Sequence, residues 1–216
     1  MAKFILGKKL GMTQVYGDDG NVVPVTVVEA EPNTVVQVRN KEKDKYEAVQ
    51  LGFGQKKEKN VRKAQKGHSN NLGNFAVLRE IRSVKSGDKD LVIGDKIDVS
   101  VFAPGDLVRV TGVTKGRGFQ GAVKRHGFHG MPAGHGHHSV MRHVGSIGQR
   151  FPQHTLRGMR MAGHMGNNQL TMRGLKVVSV DLENNLLALK GAVPGNKGSV
   201  LIIEEQTTHK QRQSKN

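Results

Sequence analysis

The sequence predicts a mainly β protein, a small closed or nearly closed β-barrel that carries one long, basic loop rich in glycine and histidine. Short segments rich in β-branched residues recur between turn signals, whereas no helix of more than three turns is expected. Many short strands with few helical periods favour a barrel. The 216 residues carry a net charge of +16, and 74 consecutive residues, 107–180, contain no carboxylate. Most of that acid-free stretch is predicted to be the loop.

Composition excludes several classes of protein. The chain has no cysteine, which rules out disulfides, thiolate metal sites and a cysteine nucleophile. No run of residues approaches the roughly 18 apolar positions of a membrane span, and the apolar run before Lys8 is too short for a signal peptide. We therefore expect a cytoplasmic protein with no membrane contact. A net charge of +16 calls for a polyanionic partner, and nucleic acid is the first candidate.

The predicted strands lie on both sides of the loop. Valine-rich VVPVTVV at 22–28 is typical of the first group, and 175–182 in the second alternates apolar with polar residues. Turn signals are PGD at 104–106, ENN at 183–185 and PGNKG at 194–198. The predicted strands are 22–28, 34–39, 47–53, 75–82, 96–102, 107–113, 175–182, 186–190 and 199–204. Between them, the polar stretch 54–72 is expected to be a solvated loop or a second RNA contact.

These strands define the expected domains. Residues 1–113 and 175–206 form the barrel domain, residues 114–174 form the loop, and residues 207–216 form a flexible tail. Without the loop, about 155 residues remain, which is a normal size for a single domain. Long insertions without a core of their own are uncommon in compact domains and are usually functional.

The composition of the acid-free stretch indicates that it needs a partner to fold. It holds 11 Lys and Arg, 8 of the 10 His and 14 of the 28 Gly. Each Gly adds backbone entropy that folding must remove, and few large apolar side chains are present to offset it. Most of 114–174 should therefore fold on an anionic partner. A flexible basic linker is the alternative, but a spacer has no need of the interspersed Phe, Leu and Met residues.

RNA is the partner that these side chains fit best. The planar guanidinium of Arg grips phosphate in two places and stacks on bases, and imidazoles donate to phosphates or stack on bases. Interleaved Gly lets the backbone approach a sugar–phosphate surface. The candidate RNA-binding residues are Lys115, Arg117, Lys124, Arg125, His126, His129, His135, His138, Arg142, His143, Arg150, Arg157, Arg160, His164 and Arg173.

Two other classes of function compete with RNA binding. The His-rich tract 126–138, with His143 close behind, resembles a metal-handling segment. However, the stretch offers no carboxylate or thiolate, and its cations oppose binding of a divalent ion, so neither a metal site nor a cofactor is expected. An enzyme is not expected either, because GxSxG, Walker-type and HExxH patterns are absent from the sequence. A His-rich metal-binding protein and a general RNA chaperone remain the alternatives.

Seven motifs carry a resemblance to a known family, and together they extend over about residues 3–204. They are GKKLGMTQ at 7–14, PVTVVE at 24–29, TKGRGFQG at 114–121, KRHG at 124–127, GSIGQR at 145–150, MAGHMG at 161–166 and GAVPG at 191–195. In identity, order and spacing they closely resemble the bacterial branch of the family of ribosomal protein number three of the large (50S) subunit. The tracts 134–138 and 151–154 depart from the sequences that are usual in that family.

The resemblance implies a fold, a function and several partners. It implies a translation-factor-like barrel and an extension that threads between helices of ribosomal RNA towards the peptidyl transferase centre. It implies direct binding to 23S ribosomal RNA near its 3′ end, nucleation of subunit assembly, and large-subunit proteins fourteen and nineteen as neighbours. In some bacterial members a glutamine methyltransferase modifies the Gln of the GSIGQ motif to N5-methylglutamine. Here that residue is Gln149, which joins the residues expected to contact RNA.

Overall fold

The structure of the chain, a computed structural model, describes residues 3–17, 19–70, 72–82 and 91–206. The predicted tail, 207–216, lies outside these residues. The chain divides into two units, Met1–Val113 with Gln169–Asn216, and Thr114–Asn168. They are called unit 1 and unit 2 below.

The described residues are mainly β, as predicted, and their helices are short. The strands are β1 (Phe4–Tyr16), β2 (Val22–Glu29), β3 (Asn33–Arg39), β4 (Ala48–Gln55), β5 (Phe75–Ile81), β6 (Lys96–Ile97), β7 (Leu107–Val113), β8 (Phe119–Gln120), β9 (Gly163–His164), β10 (Gln169–Asp181), β11 (Leu186–Lys190) and β12 (Val200–Glu205). The α-helices are α1 (Lys41–Asp44), α2 (Lys63–His68) and α3 (Ala122–His126). Two 3-10 helices cover Glu58–Asn60 and Val99–Val101.

Six strands of unit 1 form a closed antiparallel barrel, which confirms the predicted architecture. Their order around the barrel is β1-β12-β7-β10-β11-β2. Alternate side chains of each strand point inward, so the β-branched and leucine-rich strands fill the interior. Register shifts in β1 and β10 mark bulges that bend these two 13-residue strands around the barrel. The barrel core includes Ile5, Val28, Val108, Val110, Val177, Leu187, Leu189, Leu201 and Ile203.

A second, four-stranded antiparallel sheet has the order β5-β4-β3-β6. The sequence predicted one barrel for all the strands outside the loop, and these four strands do not belong to it. The sheet has its own core, in which Val35, Val49, Leu51, Phe53 and Ile81 are buried.

The start of strand β1, residues 4–7, is buried on both faces, and this joins the two cores. Ile5 packs into the barrel, whereas Phe4 and Leu6, on the opposite face, pack into the core of the second sheet. Strand β12 alternates in the same way, with Leu201 inside the barrel and Ile202 against the second core. The barrel and the second sheet therefore share two strands as a common wall.

One buried asparagine completes the hydrogen bonding of β1. Lys3 and Lys9 bond through their backbones towards β12, so by alternation the backbone groups of Leu6 face the opposite edge. There β2 reaches only as far as Lys8. The fully buried side chain of Asn33 takes the place of a strand. The Leu6 N–H donates to Asn33 Oδ1 at 3.3 Å, and Asn33 Nδ2 donates to the Leu6 carbonyl at 3.1 Å.

The structure corrects the strand predicted over 96–102. Only Lys96–Ile97 is strand, and Val99–Val101 is a 3-10 helix. Side chains three apart in a 3-10 helix lie on the same side. Val99 and Phe102 therefore both enter the barrel core, whereas Ile97 packs in the second core. A continuous strand would have sent Val99 and Phe102 to opposite faces.

Two further segments differ from the predictions. Strand β10 begins at Gln169, six residues before the predicted start, because 169–172 pairs with β7 although most of its side chains are exposed. Arg173 consequently lies in β10 and not in the loop. The polar stretch 54–72 contains a 3-10 helix and α2, where Lys66 Nζ contacts Glu58 Oε1 at 2.6 Å.

Candidate nucleic-acid interface

Unit 2 begins and ends on two arms that pair with each other. Thr114 and Asn168 form three hydrogen bonds: the Thr114 N–H and Oγ1 donate to the Asn168 carbonyl at 2.9 and 3.1 Å, and the Asn168 N–H donates to Thr114 Oγ1 at 3.2 Å. Farther along, Arg117 N–H donates to the Met165 carbonyl at 2.8 Å, and the short strands β8 and β9 pair Phe119 with His164. The Gly-rich sequence of both arms permits this close backbone approach.

Helix α3 fastens the outgoing arm to the returning arm. Arg125 Nη1 donates to the Met161 carbonyl at 2.9 Å, and His126 Nε2 lies 3.1 Å from the same oxygen. A carbonyl only accepts, so this bond places a hydrogen on Nε2. At nearby Gly163 a Cβ would lie 2.5 Å from Arg125 Nη1, so a side chain there would displace the guanidinium from this contact. Both arms are thus held by polar contacts rather than by apolar packing.

Unit 2 has almost no core of its own. All of 114–168 is described, and Ala122 is the only buried residue among them. Large apolar side chains are instead exposed, including Phe119 at 76%, Phe151 at 66% and Leu156 at 54% of their surface. These side chains leave apolar surface in unit 2 that is available to a partner.

The charge of unit 2 has a single sign. Its eight Lys and Arg residues are all exposed, and the sequence supplies no carboxylate between Asp106 and Asp181 to pair with them. The guanidinium of Arg150 lies over the ring of Phe151, 5.6 Å from its centroid. Such an exposed, one-sign surface concentrates polyanions and matches the electrostatic requirement of nucleic-acid binding.

The structure brings some of the predicted RNA-binding residues together and separates others. His126, His129, His143 and Arg160 line one concavity of about 440 Å³ in unit 2. Other predicted residues of the unit are exposed but outside that concavity. They are Lys115, Arg117, Lys124, Arg125, His135, His138, Arg142, Gln149, Arg150, Arg157 and His164. Arg173 is also exposed, on β10 of unit 1.

The apolar members of this concavity, Phe128, Met131 and Val144, were not among the predicted RNA-binding residues. Their spacing gave no helical or strand period that would single them out. The available signals were the interspersed Phe and Met residues, which argue against a simple spacer, and the neighbouring His residues.

Two structural findings concern metal binding and membrane insertion. In the described part of the chain, no three His, Cys, Asp or Glu side chains come together as a group that could hold a metal ion. Among the same residues, no helix has the length and apolar character needed to cross a membrane.

Comparison with known proteins gives consistent matches over almost the whole chain. The family profile described as Ribosomal protein L3 matches residues 88–185. Large ribosomal subunit protein uL3 of Bacillus cytotoxicus is 46% identical over 205 residues, which cover 94% of this chain and 97% of that protein. The uL3 proteins of Finegoldia magna and Bacillus thuringiensis are 43% and 44% identical, with the same two coverages. With this level of identity across nearly its full length, the chain belongs to the ribosomal protein L3 family.

Proposed function

We propose that this protein is a structural constituent of the large ribosomal subunit that binds the subunit's RNA directly through unit 2. Family membership supports a structural, non-enzymatic protein of the large subunit, which in bacteria is cytoplasmic. The RNA contact is proposed for the cations and imidazoles singled out from the sequence, together with Gln149.

One observation carries the RNA-binding proposal: unit 2 has 55 residues, one buried side chain, eight exposed cations and no carboxylate. In isolation, like charges repel and no apolar burial offsets the entropy of ordering the chain. Bound among phosphates, the same charges neutralise RNA, and the exposed Phe side chains gain bases to stack on. The unit thus supplies charge and shape, and RNA supplies the missing packing.

The finer parts of the proposal follow from the family resemblance. We expect unit 2 to extend between RNA helices towards the peptidyl transferase centre, where its cations would screen phosphate repulsion. We also expect binding near the 3′ end of 23S RNA early in assembly, with proteins fourteen and nineteen as neighbours. These positions are proposals for the assembled subunit.

Binding of the full chain to fragments of 23S RNA tests the central proposal. A protein with six to ten phosphate contacts loses about 10³- to 10⁵-fold in affinity between roughly 50 and 200 mM salt, and the eight exposed cations place this chain in that range. Footprinting should protect one folded region, and a shuffled RNA of equal length should bind more weakly. Equal affinity for both RNAs would instead indicate a general RNA chaperone, and binding insensitive to salt would contradict the phosphate contacts.

Gln149 is proposed as a methylation site. Its side chain is exposed in a segment where Ser146 Oγ donates to the Gly148 carbonyl at 2.8 Å. Methylation of the carboxamide would remove one N–H donor and leave the oxygen as acceptor. Mass spectrometry of the protein from its native source should show one added methyl group on the peptide containing Gln149. An unmodified peptide would reject the proposal for this protein.

A further inference from the structure

We infer that the concavity of unit 2 is a receptor for a single unpaired RNA nucleotide, with its phosphate on Arg160 and the imidazoles and its base against Phe128. This inference rests on the proposed RNA-binding function and adds a specific subsite to it. The concavity, called the nucleotide pocket below, is lined by His126, Phe128, His129, Met131, His143 and Arg160, among others.

The pocket is built by three separate segments of unit 2 that are held together. Residues 126–131 follow α3, residues 143–145 come from the middle of the unit, and Arg160 belongs to the returning arm. The Met131 N–H donates to the Met141 carbonyl at 2.9 Å, which ties the first segment close to the second. The hydrogen bond from His126 to the Met161 carbonyl, at 3.1 Å, ties it to the third. The walls are therefore assembled by internal contacts of the unit.

Backbone geometry supports a pocket that is specified by the sequence. Gly130 has φ of +76°, and a Cβ at this position would collide with the Met141 carbonyl oxygen. A side chain there would force apart the two segments that form the wall, so glycine is required by both conformation and space.

The chemistry of the lining selects the class of ligand. Its ionisable side chains are one Arg and three His, and 107–180 contains no carboxylate, so the pocket accepts anions and not cations. It also has an apolar part, in which the half-buried ring of Phe128 lies 6.1 Å from that of His126, tilted by 45°. Its volume of about 440 Å³ falls within the range of about 300–1,000 Å³ for small-ligand sites. A nucleotide combines an anionic phosphate with a flat base, which matches this lining. RNA-binding proteins commonly stack unpaired bases on aromatic rings.

Two variants of the full chain, matched in charge, test the inference. The pocket variant carries Phe128→Leu and Arg160→Ala, which keeps apolar bulk but removes the stacking face and the guanidinium. The control variant carries Leu156→Ala and Arg157→Ala, which removes one exposed apolar side chain and one exposed cation outside the pocket. Far-UV circular dichroism and thermal unfolding should match wild type for both, because neither pair contributes to a core.

Affinity for the protected 23S RNA fragment is measured across a salt series and combined with chemical probing of unpaired bases. Each variant loses one cation, so both should lower the salt slope by about 0.7 to 0.9. The pocket variant should lose about a further tenfold at every salt concentration, which is the size expected for one lost stacking contact. One unpaired base should be protected by wild type and by the control variant, and reactive with the pocket variant.

The possible outcomes separate this inference from the proposed function. Equal losses in both variants with no newly reactive base would overturn the nucleotide pocket and leave RNA binding intact. If Arg160→Ala alone reproduces the extra loss and Phe128→Leu alone has no effect, the pocket holds only phosphate and the base contact is wrong. If wild type shows no preference for the 23S fragment, the proposed function fails and the pocket fails with it.

Discussion

Replacement of Lys124 and Arg125 by Ala tests whether unit 2 anchors the protein to RNA. Both residues lie in the last turn of α3, and both side chains are exposed. Alanine is a strong helix former, so the helix should persist. Within the described part of the chain, the one hydrogen bond of these two side chains that the replacement removes is that from Arg125 Nη1 to the Met161 carbonyl.

The magnitude follows from counterion release. Each phosphate contact contributes about 0.7 to 0.9 to the slope of log affinity against log salt concentration. At about 0.1 M salt, one contact therefore raises the affinity roughly five- to eightfold relative to its value at about 1 M salt. Two lost contacts should therefore weaken binding by about 25- to 60-fold. The midpoint of thermal unfolding should stay unchanged, because neither side chain belongs to a core of unit 1.

The assay is a competition in which tagged wild-type and variant chains are mixed and incorporated into large subunits. A matched control is Lys41→Ala with Lys43→Ala, an exposed pair on α1 that lies beside Glu42 and Asp44. Cations in such mixed-charge surroundings contribute little to a polyanion's attraction, so the control should incorporate nearly as well as wild type. Incorporation of the Lys124 and Arg125 variant at the wild-type level would refute unit 2 as the anchor.

Three other predictions concern stability and dynamics. Asn33→Ala leaves the N–H and carbonyl of Leu6 without partners in a buried environment, and should cost about 2 to 4 kcal/mol in urea unfolding; a change below about 0.5 kcal/mol would show that water or relaxation replaces the side chain. For Asp106, desolvation raises the pKa, but the amide of Ala103 and the ammonium of Lys3 at 2.5 Å outweigh it, so the pKa is lowered overall. Unit 1 should therefore lose stability as pH falls below about 4 and through the lowered pKa, and Asp106→Asn should flatten this dependence. In free protein, backbone amides of 128–160 should exchange with solvent much faster than those of β10, and comparable protection would contradict the absence of a core in unit 2.

The strands that alternate or are rich in valine could be predicted because their local pattern reflects one buried face. Strand β1 could not, because Phe4, Ile5 and Leu6 are buried on both faces and Gly7 to Lys9 interrupt any alternation. Its role as a shared wall depends on two cores that meet only in three dimensions. The separation of the second sheet from the barrel is unpredictable for the same reason, since both groups of strands have similar composition.

In the candidate interface, the location of the charged unit could be predicted from the sequence, whereas the pocket could not. Absence of acids and abundance of glycine are properties of composition, so the sequence alone predicted where unit 2 lies and suggested RNA as its partner. The nucleotide pocket depends on which residues meet when 126–131, 143–145 and Arg160 come together. Hydrogen bonds to the Met141 and Met161 carbonyls determine that meeting, and backbone carbonyls leave no signature in a sequence.

The two units specify their conformations by different physical means. Unit 1 relies on buried side chains, so its shape survives without a partner. In unit 2, close backbone approach replaces burial: Gly166 has φ of +79°, and a Cβ there would collide with the Lys115 carbonyl oxygen of the opposite arm. Such contacts define the path of the backbone but bury little apolar surface, so they stabilise the unit only weakly. A unit with a defined path but little stability of its own is suited to the proposed function, in which phosphates and bases would supply the contacts that complete its folding.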